Sequence, residues 1–234
     1  MQRLDRVLAS MGEATRKETR ILVRDGRVTV NGQAASGWDQ KVDEKHDSIE
    51  IDGCAIEMPR TVTLMMNKPR GYVTSTDDPR DPTVMSLLPG NIIRQGVYPV
   101  GRLDKDTEGL LIFTNDGALA HRLIAPKHGI EKEYYIEHEG NVTDGIISEF
   151  LSGITLQDGT ECRPAVLTRI DDGRSLIVIH EGKYHQVRRM MASKGLPVRY
   201  LKRIREGSLR LGDLEPGKIH ELSSDELSLL VHNG

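Results

Sequence analysis

The sequence predicts an α+β fold with a small N-terminal module and a larger second domain. Helical periodicity near the N-terminus gives way to short alternating strands, and after residue 60 apolar strand runs mix with short helices. The chain has 234 residues, of which 37% are hydrophobic and 29% charged, which fits a globular protein with a sizeable core. The short proline-containing segment Met58-Pro59-Arg60 is the expected linker, giving domains 1–58 and 59–234.

The N-terminal module is predicted to pack two helices on a small sheet. Apolar residues of the first helix follow the i, i+3, i+4, i+7 spacing: Leu4, Val7, Leu8 and Met11. The second helix begins with a capping box, in which the Thr15 hydroxyl accepts from the amide of Glu18 and Glu18 reaches back. Residues 28–30 alternate as a strand does, and Asn31-Gly32 is typical of a hairpin turn.

Strands and helices of the second domain follow from apolar runs and from their caps. Apolar runs between turns predict strands at residues 62–66, 110–114, from 134 onward, 166–170, 176–179 and 198–204. Capping residues or terminal glycines predict helices at residues 118–124, 143–153, 186–193 and, after a second capping box, from Ser223. There is no repeat of solenoid period, so the domain is predicted to be α+β with a substantial sheet.

Charge is distributed unevenly although the formal net charge is only −3. Residues 1–30 carry +3 and residues 183–210 carry +8, whereas residues 31–58 carry −5 and residues 211–234 carry −4. Two basic blocks in an acidic chain are typical of a protein that binds a phosphate backbone. The alternative is a pair of solvated helix faces, since whole-domain basicity is absent.

Several function classes are disfavoured. No segment approaches the ~18–20 apolar residues of a membrane span, and the N-terminus lacks the apolar core of a signal peptide. Cys54 and Cys162 stand far apart, which indicates a reducing cytoplasm. No metal site is expected, because His180 and His185 lack a third ligand at helical spacing. No nucleotide cofactor is expected either, because no Walker A or GxGxxG motif follows a strand.

The most unusual segment is the loop at residues 101–110, GRLDKDTEGL, which is predicted to join two strands. Loops on rigid strands commonly carry catalytic groups, so its carboxylates form either structural ion pairs or an active-site anion. Asp104 and Asp106 also fit the spacing of a glycosidase pair, but aromatic residues are only 4% of the chain and sugar-binding platforms are scarce.

A second notable segment, residues 182–190 or GKYHQVRRM, leads from a strand into a helix. Unpaired amides at a helix N-terminus favour an anion. His185 could equally be a structural histidine, and Gln186 beside it favours a polar network over a metal site.

Taken together, these motifs resemble the RsuA family of pseudouridine synthases. Residues 101–111, GRLDKDTEGLL, resemble its catalytic motif, and residues 132–134 and 182–190 resemble its second and third motifs. Residues 66–71, MNKPRG, are similar to a strand-end signature of the family. The N-terminal RLD, TRKE and GRVTVNG segments, at residues 3–5, 15–18 and 26–32, resemble an S4 RNA-binding domain.

The resemblance implies an S4-like module followed by a synthase domain whose sheet is mixed and mostly antiparallel. It implies that one uridine of ribosomal RNA is detached at N1 from C1′, rotated and rejoined through C5, without metal or organic cofactor. Asp104, Tyr134 and Arg188 are the implied catalytic residues, with the Arg188 guanidinium holding Asp104 ionised. Tyr134 would stack on the uracil, although a tyrosine in a strand is also a common core residue. The chemical step of Asp104 is left open between attack on C1′, attack on the base and proton removal.

The expected RNA contacts fall into two groups. The module would contribute Arg3, Arg16, Lys17, Arg20 and Arg24, and the cleft would contribute Lys68, Arg102, Lys183, His185, Gln186, Arg189, Arg199, Lys202, Arg203 and Arg205. Arg102, His185 and Gln186 are candidates to fill the space that an extruded base leaves. The expected partner is ribosomal RNA, within an assembly intermediate. The protein is expected to be a cytoplasmic monomer that does not bind a membrane. Small-subunit (16S) RNA is the favoured target; the alternatives are large-subunit (23S) RNA and a non-enzymatic S4-type ribosome-binding protein.

Overall fold

The computed structural model describes residues 1–11, 13–44, 46–56 and 60–232. The chain divides into two compact units, residues 1–61 and 62–234. Of the expected linker, Met58 and Pro59 lie outside the described residues, so the limits 1–58 and 59–234 stay a prediction.

The N-terminal unit contains the two predicted helices and a small sheet. Its helices are α1 (Leu4–Ser10) and α2 (Arg16–Arg24), and its strands are β1 (Gln2–Arg3), β2 (Val28–Val30), β3 (Gln33–Ala34), β4 (Lys41–Val42), β5 (Ile49–Ile51) and β6 (Cys54–Ile56). Four strands form a sheet in the order β3-β2-β5-β6, and β1 pairs with β4. The apolar stripe of α1 packs on this sheet, since Leu4 and Leu8 join Val28 and Ile49 in one cluster.

Two local features predicted for this unit are the capping box that starts α2 and the hairpin turn between β2 and β3. The amide of Glu18 donates to the Thr15 hydroxyl over 3.2 Å, and the Thr15 amide donates to the Glu18 carboxylate over 2.8 Å, so the capping box is confirmed. Asn31 and Gly32 have φ values of 53° and 76°, the left-handed pair that a two-residue hairpin turn needs.

The larger unit has five helices and eleven strands in its described part. The helices are α3 (Gly90–Ile93), α4 (Gly117–Ile124), α5 (Asp144–Ser152), α6 (Gln186–Ser193) and α7 (Ser224–Leu230), with 3₁₀ turns at Val84–Leu87 and Pro126–His128. The strands are β7 (Thr63–Lys68), β8 (Tyr98–Val100), β9 (Glu108–Thr114), β10 (Lys132–His138), β11 (Ile154–Thr155), β12 (Glu161–Cys162), β13 (Val166–Asp171), β14 (Arg174–Ile179), β15 (Val198–Glu206), β16 (Leu209–Arg210) and β17 (Ile219–Glu221). The predicted helices are confirmed; α3, β16 and β17 carry too little apolar periodicity to be predicted.

Nine of these strands form the main sheet, in the order β13-β14-β10-β15-β9-β7-β17, with β16 on β15 and β8 on β9. Its named strand pairs are antiparallel except β9 with β15, which run parallel. The sheet is therefore mixed and mostly antiparallel, as the resemblance implied. Alternate residues of β9 enter two different apolar clusters, so helices cover both faces: α5 and α6 on one, α4 and α7 on the other.

Gly109 allows the close approach of the two parallel strands, β9 and β15. It opposes Arg203 across the β9–β15 pairing and has a φ of 104°. A Cβ built there would lie 2.1 Å from the Arg203 carbonyl oxygen. Only glycine fits both the conformation and the contact. Gly109 therefore allows β9 to lie close to β15 directly after the loop that precedes it.

Candidate active site

The loop at residues 101–107 joins β8 to β9, and its backbone is held at several points. Leu103 and Thr107 are buried and anchor it. The Thr74 hydroxyl donates to the Leu103 carbonyl over 2.7 Å and accepts from the Leu103 amide over 3.1 Å. The Thr107 amide donates to the Asp104 carbonyl over 3.1 Å. Asp104 therefore sits in a fixed turn while its side chain stays 30% exposed.

Lys68, at the end of β7, is the main clamp on this loop. Its ammonium donates to three carbonyl oxygens, those of Pro69 at 3.0 Å, Lys105 at 3.3 Å and Thr107 at 2.8 Å. The side chain is fully buried. In this structure Lys68 offers no surface to a phosphate, so its expected RNA contact stays a prediction that the burial does not support.

Burial lowers the pKa of Lys68 to about 8, against the opposing charges of Asp106, Glu108 and Asp104. An unfolded chain would hold this proton up to a pKa of about 10.4. Between these two values the unfolded state binds more protons, so this lysine's contribution to the free energy of unfolding rises with pH.

Replacing Lys68 with Met tests this clamp. The free energy of unfolding is measured in urea for wild type and for the variant. We expect the wild-type value minus the variant value to increase from pH 8 to pH 10, because the variant lacks the titrating group. Turnover of the variant at pH 7 should fall roughly 10²-fold, the scale expected for a catalytic group displaced by ~1 Å. Lys218→Met, at an exposed lysine, is the control. A pH-independent difference would contradict a buried, titrating Lys68.

The three predicted catalytic residues line one pocket. Asp104 comes from the loop, Tyr134 from β10 and Arg188 from α6, so three separate elements meet there. The pocket encloses about 430 Å³, part of it open to solvent. Leu201 of β15 and Ile179 of β14 add apolar walls. The recess thus brings a half-buried carboxylate, a ring and a guanidinium together, an arrangement that suits one small ligand.

Arg188 does not pair with Asp104 as expected. Its Nη2 lies 3.1 Å from the Asp106 carboxylate, and its Nη1 donates to the Val198 carbonyl over 3.3 Å. Within the described ranges no ion pair joins Arg188 to Asp104. The two acids are two residues apart in the same loop, and the anchored guanidinium meets the second of them. Its Nε is buried and has no hydrogen-bond partner in the described part of the chain.

Asp104 faces His185 instead. The Nε2 of His185 lies 3.4 Å from a carboxylate oxygen of Asp104. His185 precedes α6 with a φ of 48°, a left-handed conformation that is unusual for a residue other than glycine and is characteristic of functional sites. The exposed Tyr184 ring stacks on the imidazole, with centroids 3.9 Å apart. Sequence reasoning missed Tyr184, although an aromatic residue inside the 182–190 segment was a usable signal.

Tyr134 lines this pocket from a nearly buried position, 7% exposed. Burial raises the pKa of its hydroxyl, and the neighbouring Arg203 charge opposes that rise. The phenol is therefore neutral at physiological pH. A neutral ring at the pocket wall suits stacking on a planar base.

Two further expected RNA contacts stay predictions that the structure does not support, because their side chains are buried. Gln186 is 4% exposed; it donates to Glu181 over 2.8 Å and accepts from the Lys183 amide over 2.9 Å. Arg203 is 2% exposed and donates to the Leu110 carbonyl over 2.7 Å. Arg205, named with them for phosphates, is likewise buried and paired with Glu131 and Glu133. These groups organise the sheet beneath the pocket.

Three other expected cleft cations lie nearer the surface: Arg102 and Lys183 are exposed and line the pocket, and Arg189 is half-buried. Arg102 lines the pocket, the Lys183 ammonium contacts the Glu161 carbonyl, and Arg189 pairs with Asp158. Surface ion pairs of this kind are weak, so they exchange readily for phosphate contacts.

In the N-terminal unit, the predicted cations lie on an exposed face of α2: Arg16, Lys17, Arg20 and Arg24. The Arg20 guanidinium lies 4.0 Å from the Trp38 ring centroid, and that of Arg3 lies 4.5 Å from it. Arg3 also pairs with Asp5 over 2.9 Å. Trp38 thus contacts two arginines from different elements. Each such cation–π contact stabilises by about 0.5–1 kcal/mol at exposed sites.

Other classes of site are not evident in the described residues. No group of three or more His, Cys, Asp or Glu side chains is arranged to hold a metal ion in those ranges. Among the described helices, none has the length and apolar character to cross a bilayer.

Both units of the chain match known protein families. The family model of RNA pseudouridylate synthase matches residues 62–193, and that of the S4 domain matches residues 2–44. The chain is 39% identical over 233 residues to the RNA pseudouridine synthase YtzG of Bacillus subtilis, covering 97% of this chain and 98% of that one. It is 37% identical to ribosomal small subunit pseudouridine synthase A of Escherichia coli, covering 98% and 100%.

The chain is also similar to a large-subunit enzyme and to a solved structure. Ribosomal large subunit pseudouridine synthase B of Pseudomonas aeruginosa is 38% identical over 98% of this chain, but over only 61% of its own length. A crystal structure of a pseudouridylate synthase superposes with a TM-score of 0.70 at 31% identity, covering 98% of this chain and all of that one.

Proposed function

The chain belongs to the RsuA family of RNA pseudouridine synthases, and from this we propose that it isomerises one uridine of small-subunit ribosomal RNA to pseudouridine. The observation that carries the proposal is the convergence of Asp104, Tyr134 and Arg188 in one pocket. In this proposal the Asp104 carboxylate starts cleavage of the bond between N1 and C1′. The freed uracil turns over the Tyr134 ring and rejoins C1′ through C5; C5 then releases its proton to solvent and N1 takes one up, so the product is an isomer of the substrate.

Arg188 has a specific part in this proposal. Its Nε is a buried donor without a partner among the described residues, and its Nη2 contacts an acid that is 60% exposed. An incoming uridine can therefore draw the guanidinium from Asp106 toward Asp104 or toward its own oxygens. Pairing with Asp104 would favour the carboxylate form that the chemistry requires.

Base flipping follows from the position of the acid in a recess. A stacked uridine cannot reach Asp104, so the nucleotide must leave its helix at a cost of a few kcal/mol. We propose that exposed Arg102 and half-buried His185, which both line the pocket, fill the vacated space. Gln186 leaves this set because its side chain is buried.

The choice of small-subunit RNA rests on full-length similarity. The E. coli small-subunit enzyme is matched over its entire length, whereas the large-subunit enzyme of P. aeruginosa extends well beyond the matched part. Identity alone does not separate them, at 37% and 38%. Large-subunit RNA is therefore the alternative target.

The function is tested by tritium release from RNA labelled at C5 of uridine. Purified 16S RNA, 23S RNA and their assembly intermediates are each incubated with the protein, and released tritium is counted. We expect one equivalent per 16S RNA, with the highest rate on an assembly intermediate. Release from 23S RNA alone would transfer the assignment to the large subunit, and release from neither would contradict the proposed activity.

The N-terminal unit is proposed to add RNA affinity and to take no part in the chemistry. We expect the triple variant Lys17→Gln, Arg20→Gln, Arg24→Gln to weaken RNA binding and to flatten the dependence of log affinity on log salt by about 1 per lost phosphate contact. Turnover at saturating RNA should stay unchanged. The matched control removes three exposed cations from the larger unit: Arg94→Gln, Arg174→Gln and Lys218→Gln. Equal salt slopes for both variants would contradict an RNA-binding α2.

We also propose that the protein works as a monomer in the cytoplasm. Cys54 and Cys162 are both free, which suits a reducing compartment. Light scattering after gel filtration should give a mass near 26.1 kDa. A mass near twice that value would contradict the monomer.

A further inference from the structure

A second cavity adjoins the pocket that holds Asp104. It encloses about 1100 Å³, part of it open to solvent. The two cavities share Arg102, Tyr134 and Gly182 in their walls. The second cavity is therefore continuous with the candidate active site, and none of the catalytic roles above uses it.

One side of the second cavity is an apolar shelf. It is built by the end of α4 and the segment that follows: Leu123, Ile124, Ala125, Pro126 and Ile130. Leu123 and Ile130 are buried and fix the shelf, whereas Ile124 is 55% exposed. A rigid apolar surface that remains open to solvent suits one face of a planar ligand.

The other side of the cavity is polar, with two cations, Lys132 and Arg203, balanced by two carboxylates. The Lys132 ammonium lies 3.7 Å from Glu206, and Arg203 lies 3.2 Å from the same carboxylate, so two cations share one anion. Half-buried His180 adds a ring nitrogen at the edge. Glu181 also lines the cavity, but its carboxylate is engaged by Gln186 and by the Arg163 amide.

Arg102 stands where the two cavities meet and is exposed. A ligand that spans both cavities would pass this guanidinium. An anionic link between two planar groups would thus meet a cation at the crossing, as a phosphate does with arginine.

We propose that the second cavity binds the base of a nucleotide adjacent to the target uridine, with the joining phosphate at Arg102. The inference rests on the proposed function, because the uridine in the first pocket places its neighbour beside the second. The base packs on the shelf at Ile124 and presents its polar edge to Lys132 and His180. The enzyme thereby reads a dinucleotide, so the identity of one neighbour contributes to its choice of site.

Isoleucine methyl groups report on both cavities separately. Ile179 lines the first pocket, Ile124 and Ile130 line the second, and Ile170 on β13 is an exposed reference. The full chain, labelled with ¹³C at isoleucine δ1 methyls, is titrated with uridine 5′-monophosphate and with the dinucleoside monophosphates UpA and ApU. The mononucleotide should shift Ile179 alone, and at least one dinucleotide should also shift Ile124 and Ile130.

The variant Ile124→Asp sharpens the test, since Ile124 is exposed and its replacement spares the core. We expect roughly tenfold weaker binding of the responding dinucleotide, a loss of ~1.4 kcal/mol, with mononucleotide binding unchanged. Ile124→Leu, which keeps the shelf apolar, should bind like wild type. Dinucleotides that shift only Ile179 would overturn the second base site and leave the proposed function intact. No response of Ile179 to any probe would overturn both.

Discussion

We expect replacement of Asp104 with Asn to abolish pseudouridine formation while RNA affinity and the free energy of unfolding stay close to wild type. The amide keeps the shape of the side chain, which is partly exposed and contributes little to the core. It removes the negative charge and the basic oxygen that the reaction needs. Loss of such a group costs about 10³-fold or more in rate. Tritium release in single-turnover reactions measures this loss directly.

Two other replacements make this result specific. Asp172→Asn, in the exposed turn between β13 and β14, makes the same chemical change away from the pocket and should have no effect. Asp106→Asn breaks the contact with Arg188 and should change the rate only modestly, since that acid is 60% exposed. A variant at Asp104 that keeps more than a tenth of wild-type turnover would refute the assignment.

Replacing Gly109 with Ala destabilises the larger unit severely. The new Cβ would press against the Arg203 backbone, and its residue would hold a φ of 104° that side chains disfavour. Overpacking costs about 1–3 kcal/mol and backbone strain a further ~1–3 kcal/mol. For a unit of this size each 1 kcal/mol lowers the melting temperature by about 2–4 °C, so a fall of roughly 5–20 °C is expected in thermal unfolding.

Gly96→Ala separates strain from contact in this experiment. Gly96 has a φ of 72°, but a Cβ there would meet no atom within 4 Å. It therefore suffers the backbone strain without the clash, and its melting temperature should fall much less. Equal shifts for the two variants would show that the close approach of β9 and β15 does not set the stability of this region.

Local signals in the sequence were enough to predict most helices and many strands. The capping boxes at Thr15 and Ser223 form as predicted, because both partners lie within one turn of each other. The strand order β10-β15-β9 was beyond such reasoning. It depends on pairings between distant segments, which a pattern of alternating residues does not specify.

The site was predicted only in part, because its contacts also join distant segments. Motif resemblance named Asp104, Tyr134 and Arg188, and they do line one pocket. The ion partner of Arg188 was wrong, because sequence spacing cannot distinguish Asp104 from Asp106 in one tight loop. Lys68 and Arg203 were expected at the surface since charged residues are rarely buried. Three backbone carbonyls accept from the Lys68 ammonium inside, whereas Arg203 donates to one carbonyl and faces the Glu206 carboxylate.

The parallel pairing of β9 with β15 also governs when the pocket can arise. The hydrogen bond from Arg203 to Leu110 joins residues 93 positions apart, and contacts of such long separation form slowly. A ribosome making this chain must finish β15 before the wall behind Asp104 exists. The nascent polypeptide therefore exposes its N-terminal unit before the pocket is complete, and we expect translation products that stop before β15 to be inactive.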